Sequence, residues 1–539
     1  MTRATRPTGQ RRGRAAMLLG LMLVATLSAC AVGPSTRPPV AVRGGNSVEG
    51  PIPERLPLPP LGPQVPVPDV GDAAAAQFID CTDDMQQVLP VPVPADRKLR
   101  YECTDIPVGT DDADSFGRQR QSSIGLMRVS LTDRPPDSRP PLLVLGDSDS
   151  ETGTLRAAHL AAQVPLALLQ HFSIVGMDRR GEGTSRLDCV PPDVRSTLLD
   201  TQVGTAPGGQ AQVDSLLNRI RAGIQECNLS EGDALTKYNT STTAQDIEQA
   251  RVLLGVRTLS AVGLGDGARA LAVWAQSSPG SVGRLVLDSP PDPTLDAVAT
   301  AKARASAAEA TFDAFGRQCE AHPGCPLGPN PRAALTGLAG QLRDHPLAGA
   351  DGEVLTSAAA MHAVLVGLDE PADWNRLAAA ISGARTGDPS GLLRYLDELL
   401  GVNGRFDLAM ATRCNDTTQR LSPPQVAQLI TEWSGHHPLF GALTAQSLLL
   451  CTSWPVPIEP ARVGPVDAAP PLLVLGTALS PREPLTGYQR AASQLATAKM
   501  IDWQGAGQGA YPRTPCVNNA VDGFLQSGTV PQTSVLCPP

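Results

Sequence analysis

The stretch TLSAVGLGDGARA, from Thr258 to Ala270, decides the fold of this chain. Its first half is a short apolar run typical of a buried strand, and its second half opens an alanine-rich segment typical of a helix. Between the two halves, Gly263, Gly265 and Gly267 allow a sharp turn in which strand and helix approach closely. The stretch therefore predicts a strand followed directly by a helix, the repeating unit of an α/β sheet.

Four further apolar runs end at glycine-rich or acidic turns. Unbroken apolar runs are typical of strands buried on both faces, and helical patterns separate them, so they predict a mostly parallel central sheet flanked by helices. From 294 to 410 the pattern becomes helical, which predicts a lid or cap inserted into the sheet domain. The four runs are PPLLVLGDSDSETG (140–153), HFSIVGMDRRGEGTS (171–185), GRLVLDSPPDP (283–293) and PPLLVLGTALSPREP (470–484).

The beginning of the chain resembles a bacterial lipoprotein signal. A basic segment precedes an apolar run, Ala15 to Thr26, which is too short for a membrane span and ends in Leu-Ser-Ala before Cys30. This order predicts removal of residues 1–29, lipidation of Cys30 and a membrane-anchored position outside the cytoplasm. An ordinary signal peptide with a chance cysteine is the alternative. The proline-rich residues 30–75 then predict a disordered tether.

Composition and cysteine usage describe an exported globular protein. The formal net charge is −9, which argues against nucleic acid as a partner. Apart from Cys30, the remaining ten of the eleven cysteines suit five disulfides in an oxidising compartment, although sequence alone leaves the connectivity open. No cysteine has a partner at zinc-ligand spacing, so we expect neither a metal nor a cofactor. The predicted pairs are Cys81–Cys103, Cys189–Cys227, Cys319–Cys325, Cys414–Cys451 and Cys516–Cys537.

Several segments resemble exported actinobacterial α/β-hydrolases of the tripeptidyl-aminopeptidase and proline-iminopeptidase type. MDRRGEGTSRLDC (177–189) is similar to that family's D-x-R-G-x-G-x-S loop, and CVNNAVDGFLQSGTVPQTSVLC (516–537) is similar to its TAP-like C-terminal region. RCNDTT (413–418) and CTSWPV (451–456) match a cysteine pair of the family. The resemblance spans roughly 76–539 and implies an α/β-hydrolase fold, with core segments 76–293 and 411–539 around the lid.

The resemblance also implies a Ser-Asp-His triad, which this chain does not contain. The nucleophile position falls on Gly265, which has no side chain. The acid position falls on Ser480 in GTALSPREP, and the histidine position falls on Gln508 in GAGQGAYP. Every histidine lies before residue 438, so no later residue can act as the base. Loss of all three groups removes the serine mechanism.

The loop after the strand PPLLVLG is acidic where the family has a turn whose amides bind an oxyanion. Asp147, Asp149 and Glu151 would oppose an anionic intermediate there, whereas a solvated acidic loop is the alternative. Asp266 is interpreted as a polar residue at a helix N-terminus, because a role as nucleophile lacks a histidine and small neighbours. If the four carboxylates line one cleft, they favour a cationic ligand and raise one another's pKa.

These features favour a membrane-anchored, catalytically inactive hydrolase homologue. On this hypothesis, the cleft under the lid binds a peptide, a small cationic ligand or a protein partner, while a lipid on Cys30 holds the protein at the membrane. One alternative is an active peptidase or esterase with non-standard catalytic groups. Active-site labelling distinguishes this alternative from an inactive homologue. A purely structural envelope protein is another, and an open pocket would argue against it.

Overall fold

The computed structural model describes residues 64–71, 76–89, 91–108, 122–134, 136–201, 209–350, 352–400, 405–454 and 463–539. Cys30, the signal segment 1–29 and most of the predicted tether 30–75 lie outside the described residues. The described end of the tether contacts the folded domain. Arg284 Nε donates to the carbonyl of Pro66 at 2.9 Å, and Arg257 N donates to the Asp69 carboxylate at 2.7 Å. The folded domain therefore begins before residue 76.

A ten-stranded sheet lies at the centre of the described chain. Its strands are β1 (Ile79–Asp80), β2 (Leu99–Val108), β3 (Ser122–Leu131), β4 (Pro141–Leu145), β5 (Ser173–Met177), β6 (Leu259–Leu264), β7 (Val282–Asp288), β10 (Leu472–Leu479), β11 (Ala498–Ala506) and β12 (Val535–Cys537). The strand order is β1-β2-β3-β5-β4-β6-β7-β10-β11-β12. The pairs from β5 to β12 are parallel, and those from β1 to β5 are antiparallel. A separate hairpin consists of β8 (Leu347–Ala348) and β9 (Val354–Leu355).

Helices cover both faces of the sheet, which confirms the predicted α/β fold with a mostly parallel central sheet. They are α1 (Thr82–Val88), α2 (Gly153–Gln163), α3 (Leu166–His171), α4 (Pro192–Asp200), α5 (Gly209–Glu231), α6 (Thr240–Leu253), α7 (Asp266–Ser277), α8 (Ala297–Ala321), α9 (Pro331–Asp344), α10 (Ser357–Gly367), α11 (Trp374–Arg385), α12 (Ser390–Leu400), α13 (Phe406–Asn415), α14 (Pro423–His436), α15 (Gly441–Gln446), α16 (Leu485–Ser493) and α17 (Pro515–Ser527).

Each face of the sheet has its own hydrophobic core. On one face, Leu142 and Val144 of β4 belong to a cluster that includes residues of α2 and α17. On the other face, Leu143 and Leu145 belong to a cluster that includes Trp274 of α7. Because successive side chains of a strand point to opposite faces, a strand covered on both sides needs an unbroken apolar run. This is the pattern that the sequence shows.

The predicted lid is part of a longer helical insertion between β7 and β10. Its helices α8 to α12 surround a separate core that includes Phe312, Phe315 and Trp374. The predicted boundary at residue 410 falls inside α13, and helices continue through α15 before β10 begins at Leu472. Residues 411–451 are thus helical and precede the C-terminal strands of the sheet.

A second helical layer, which the sequence analysis does not predict, packs beside the lid. It joins α4 and α5, which precede β6, to α13 and α14, and its core includes Ile220 and Trp433. Two disulfides, Cys189–Cys227 and Cys414–Cys451, lie within this layer. The layer therefore combines two segments that are far apart in the sequence.

The predicted disulfide pairing is confirmed. The five bridges are Cys81–Cys103, Cys189–Cys227, Cys319–Cys325, Cys414–Cys451 and Cys516–Cys537. Within the described ranges, none of the helices combines the length and the hydropathy needed to cross a bilayer.

Candidate functional site

The turn at Gly265 is as sharp as the sequence predicts. Strand β6 ends at Leu264 and α7 begins at Asp266, so Gly265 alone connects them, with φ 56° and ψ −121°. A residue with a side chain is strained at this positive φ, whereas glycine adopts it without strain. The turn is also crowded, because a Cβ on Gly267 would lie 2.3 Å from the carbonyl oxygen of Gly146. The small residues therefore serve the shape of the turn.

The carboxylate of Asp147 fills the space in which a nucleophile's side chain would lie. A Cβ built on Gly265 would be 1.7 Å from Asp147 Oδ2 and 2.5 Å from its Cγ. Asp147 is only 7% exposed. Its Oδ2 accepts a hydrogen bond from Gln508 Nε2 at 2.7 Å, and its Oδ1 accepts one from Asp149 N at 2.8 Å. We call the hydrogen-bonded Asp147 and Gln508 side chains the plug, because they close the nucleophile position.

The plug contains a carboxyl group that titrates near neutral pH. Burial, and then the charge of Asp266, raise the pKa of Asp147 to about 7, while Arg482 acts in the opposite direction. A buried carboxyl without a direct ion pair retains its proton more readily than one in water. At neutral pH, Asp147 therefore carries its proton more often than a surface aspartate does.

Ser480 and Gln508 lie on neighbouring loops without forming a triad. The two loops are joined because Gly507 N donates to the carbonyl of Leu479 at 3.0 Å. The side chain of Gln508 reaches Asp147, whereas Ser480 Oγ accepts from Arg482 N at 3.2 Å. The three positions therefore assemble no nucleophile, acid or base.

A buried carboxylate holds the loop that carries Gln508. Asp288, the last residue of β7, is 0% exposed. Its oxygens accept from the backbone N–H groups of Ala510 and Tyr511, each at 2.9 Å, and burial raises its pKa. The loop sequence GAGQGAYP contains no histidine that this carboxylate would orient. Its observed role is to position the loop.

Asp266 lies at the N-terminus of α7, as the sequence predicts, and is paired with Arg179. The guanidinium of Arg179 donates to the Asp266 carboxylate and, at 2.6 Å, to the carbonyl of Gly146. Ser148 N donates to the same carboxylate at 3.0 Å. Burial favours the neutral form, but Arg179 and Ser148 outweigh it, so the pKa of Asp266 is lowered. We call the turn from Gly263 to Gly267 the elbow. Arg179 and Ser148 together fasten the elbow to the acidic loop.

Asp149 of the acidic loop pairs with three arginines, which come from the lid, from the second helical layer and from the loop after β10. Its carboxylate lies 3.1 Å from Arg304 of α8, 3.2 Å from Arg413 of α13 and 3.6 Å from Arg482. Burial acts to raise the pKa of Asp149, yet the three guanidinium groups hold it well below its usual range. Arg482 also donates to Asp369, which follows α10, at 3.1 Å. This charge network fixes the lid against the acidic loop.

Glu151 lies in the wall of a large cavity beside the lid. Its carboxylate pairs with Arg156 at 3.1 Å and with His159 Nδ1 at 2.9 Å. The cavity has a volume of 1510 Å³, and its lining includes Glu151, His159 and Gln508 from the sheet domain and Val366 from the lid. Gln508 therefore presents the outer side of the plug to the cavity.

The expectation of a single acidic cleft is only partly met. Asp149 and Glu151 line the cavity, whereas Asp147 and Asp266 do not. Ion pairs lower the pKa of Asp149, Glu151 and Asp266 despite burial. The prediction that the four carboxylates raise one another's pKa is therefore wrong for these three residues, and it holds for Asp147 alone. The alternative of a solvated loop is also wrong, since these carboxylates are buried or ion-paired.

Three residues at the site are absent from the sequence-based prediction. Asp288 ends an apolar run, which is a signal in the sequence, whereas Arg179 occupies the unspecified second position of the D-x-R-G-x-G-x-S loop. Arg482 has none, because it contacts Asp149 across 333 residues and Asp369 across 113 residues.

A family model described as TAP-like protein matches residues 437–537, which include β10, β11 and the loop of Gln508. The chain therefore contains a TAP-like domain at these residues. This TAP-like domain contains Ser480, Gln508 and the disulfide Cys516–Cys537. It therefore supplies the acid and histidine positions of the resemblance, both without a catalytic side chain.

Several curated actinobacterial proteins are similar to this chain over most of their length. Carboxylesterase B of Mycobacterium tuberculosis is 24% identical over 473 residues, which cover 82% of this chain and 87% of the relative. Serine protease Hip1 of Mycobacterium tuberculosis is 24% identical over 427 residues, with coverages of 74% and 80%. Tripeptidyl aminopeptidase of Streptomyces coelicolor is 23% identical over 494 residues, with 86% of each chain covered.

Proposed function

We propose that this protein is a catalytically inactive homologue of the tripeptidyl-aminopeptidase-like hydrolases and binds a ligand in the cavity beside the lid. The observation that carries the proposal is the plug. Asp147 occupies the space of a nucleophile at position 265, and Gln508 cannot take a proton at neutral pH. A hydrolase that has lost its nucleophile and its base retains only a small residual rate.

The cavity supports a binding role over a purely structural one. Its 1510 Å³ exceed the roughly 300–1,000 Å³ of ordinary small-molecule pockets, and it is lined by polar and apolar side chains. The ligand classes that this lining suits are a peptide, a small cationic molecule or an extended segment of a protein partner. The relatives named as a protease and an aminopeptidase favour a peptide-like ligand.

A second candidate function, hydrolysis by non-standard groups, rests on the contact between His159 and Glu151. The Nδ1–Oε2 distance of 2.9 Å is that of a base held by a carboxylate, and both residues line the cavity. Among the described residues, however, His159 makes no hydrogen bond to a serine, threonine or cysteine that it would activate. The contact therefore supplies a base and the carboxylate that orients it, but no nucleophile.

We expect the purified protein to show no serine-hydrolase activity. A fluorophosphonate probe should leave it unlabelled, and chromogenic aminoacyl, peptidyl and ester substrates should turn over no faster than in buffer, with a serine hydrolase as the positive control. Stoichiometric labelling of one serine would overturn the proposal. Turnover that disappears in His159→Ala would instead establish the second candidate function.

We further propose that a lipid on Cys30 anchors the protein outside the cytoplasmic membrane. The disulfides support an oxidising compartment, and the Leu-Ser-Ala-Cys sequence supports lipidation. We expect wild-type protein in the membrane fraction and Cys30→Ala protein in the soluble fraction of the expressing bacterium. Membrane retention of Cys30→Ala equal to that of wild type would contradict the anchor.

A further inference from the structure

One wall of the cavity is formed by a short helix that buries little of its own surface. Met85 and Val88 of α1, and Leu89 just after it, line the cavity. None of the seven residues of α1 is buried, and five of them are exposed. Helix α2, by comparison, has six buried residues. Because the stability of a helix in a protein comes mostly from the packing of its apolar face, α1 depends on other contacts for its position.

Helix α1 is attached to the sheet at its first residue. Cys81 N donates to the carbonyl of Tyr101 at 3.0 Å, and the hydroxyl of Thr82 accepts from Tyr101 N at 3.0 Å. The disulfide Cys81–Cys103 joins the same point to β2, and β1, which precedes it, has two residues. Beyond Thr82, the partly buried Met85 packs against the core. The disulfide is therefore a covalent fastening beside a small number of weaker contacts.

This disulfide lies in the wall of the cavity. Cys81 and Cys103 both line the cavity, whereas no cysteine of the other four described bridges does. Cys103 is partly exposed. Ile79 and Val88 line the same cavity and are 70% and 59% exposed, so the cavity reaches the protein surface beside the bridge. Exposed disulfides are more readily reduced than buried ones, and a small thiol has a route to this one.

We propose that the Cys81–Cys103 disulfide is a redox-sensitive latch that holds α1 in the wall of the cavity. The inference rests on the proposed ligand-binding function and adds a regulation of the same site. A thiolate of a dithiol reductant attacks one sulfur and forms a mixed disulfide, and the other cysteine leaves as a thiolate that takes up a proton. The second thiol of the reductant then displaces the first cysteine. The protein gains two thiols, and the dithiol is oxidised to a disulfide.

Reduction leaves α1 held by the weaker contacts alone. The bridge joins residues 22 positions apart, and removing such a cross-link restores conformational freedom to the open state of the segment. The hydrogen bonds to Tyr101 lie at one end of the helix, and the rest of α1 has few buried contacts to keep it closed. Local opening of 79–89 should therefore become much more frequent than opening of the sheet. Each opening takes Met85 out of the wall and enlarges the entrance to the cavity.

Stepwise reduction of the purified protein with dithiothreitol, followed by alkylation with N-ethylmaleimide and peptide mapping, shows which bridge reacts first. We expect Cys81 and Cys103 to be alkylated at dithiothreitol concentrations at which the other four described bridges stay intact. Cys319–Cys325 is the matched control bridge, because Cys325 is also partly exposed but neither of its cysteines lines the cavity. Reduction of the control bridge at the same or a lower concentration would contradict the latch.

Hydrogen exchange of peptides from 79–89 then measures the release of α1. In the selectively reduced protein and in Cys81→Ser/Cys103→Ser, the amides of α1 should exchange at least about tenfold faster than in the oxidised protein, because the cross-link no longer restricts the open state. The amides of β4 and β6 should keep their oxidised rates. Cys319→Ser/Cys325→Ser should leave the exchange of α1 unchanged. Thermal unfolding checks that both variants fold, and the reduced wild type decides the result where a variant does not.

Two results of the exchange experiment would overturn the latch. The first is an unchanged exchange of α1 in the reduced protein or in a folded Cys81→Ser/Cys103→Ser variant. The second is faster exchange throughout the sheet, because the bridge would then hold the whole fold rather than α1. Neither measurement needs a ligand, so both are separate from the fluorophosphonate test of the proposed function. Labelling would refute catalytic inactivity and leave the latch intact, whereas failure of the latch alone leaves an unlabelled protein catalytically inactive.

Discussion

Replacing Gly265 with serine is expected to destabilise the protein by roughly 3 kcal/mol or more and to produce no hydrolase. The added Cβ would lie 1.7 Å from Asp147 Oδ2, and the residue would keep a φ of 56°. Overpacking of a filled site costs about 1–3 kcal/mol, and a strained backbone conformation costs about 1–3 kcal/mol more. The serine would in any case face Gln508, which is not a base.

Urea denaturation of Gly265→Ser, with fluorophosphonate labelling of the folded fraction, measures both expectations. Gly280→Ser is the matched control, because a Cβ on Gly280 has no heavy atom within 4 Å and its φ is not in the positive region. The control should change the free energy of unfolding by less than about 0.5 kcal/mol. The double variant Gly265→Ser/Asp147→Gly should recover part of the lost stability, because it removes the clashing carboxylate. A fully stable or labelled Gly265→Ser protein would refute the plug.

Activity should return only when several positions change together. Gly265→Ser, Ser480→Asp and Gln508→His restore the three side chains that the resemblance implies, and Asp147 must also be replaced to make room for the serine. This requirement follows from the geometry of the plug rather than from the triad alone. Asp147 of the acidic loop therefore has to be replaced before a side chain at position 265 can fit.

The mostly parallel central sheet could be predicted because its signals are local. Apolar runs such as Pro141–Leu145 and Leu472–Leu479 are covered on both faces, and a strand of this kind needs no distant information to be recognised. The turn at Gly265 likewise follows from three glycines within five residues. The cysteines pair with near neighbours in the sequence, the largest separation being 38 residues, so their order along the chain indicates the partners.

The state of the site could not be predicted in the same way, because it depends on contacts between distant segments. Asp147 and Gln508 are 361 residues apart, and the acidic loop alone does not indicate that the Asp147 carboxylate occupies the side-chain space of residue 265. The ion pairs of Asp149 come from three separate segments, so an acidic loop in the sequence becomes a neutralised network in the structure. Sequence thus indicates which catalytic groups are missing, and the structure shows what replaces them.

Replacing Arg179 with alanine is expected to lower the free energy of unfolding by about 3–5 kcal/mol, since removing one partner of a buried ion pair leaves the other charge uncompensated. The side chain of Arg179 is 4% exposed and that of Asp266 is 18% exposed. Loss of Arg179 also frees the carbonyl of Gly146, and it leaves Asp266 beside the partly protonated Asp147. The elbow would then be held to the acidic loop only by the hydrogen bonds from Ser148 to Asp266.

The pH dependence of this effect has a definite sign. In wild type, the pKa of Asp266 is lowered by Arg179, so the ion pair stabilises the fold above the pKa of an unfolded aspartate. In Arg179→Ala, burial is opposed only by the hydrogen bonds from Ser148 and raises that pKa instead, and stability then falls as the pH rises through the raised value. The destabilisation relative to wild type should therefore be larger at pH 8 than at pH 5. Urea denaturation at both pH values measures this difference. Arg257→Ala is the control, because the side chain of Arg257 is 85% exposed, and it should change stability by less than about 0.5 kcal/mol.

The double variant Arg179→Ala/Asp266→Asn should be more stable than Arg179→Ala alone, because the uncompensated charge is gone. A loss below about 1 kcal/mol in Arg179→Ala, or a double variant no more stable than the single one, would show that the ion pair does not hold the elbow in place.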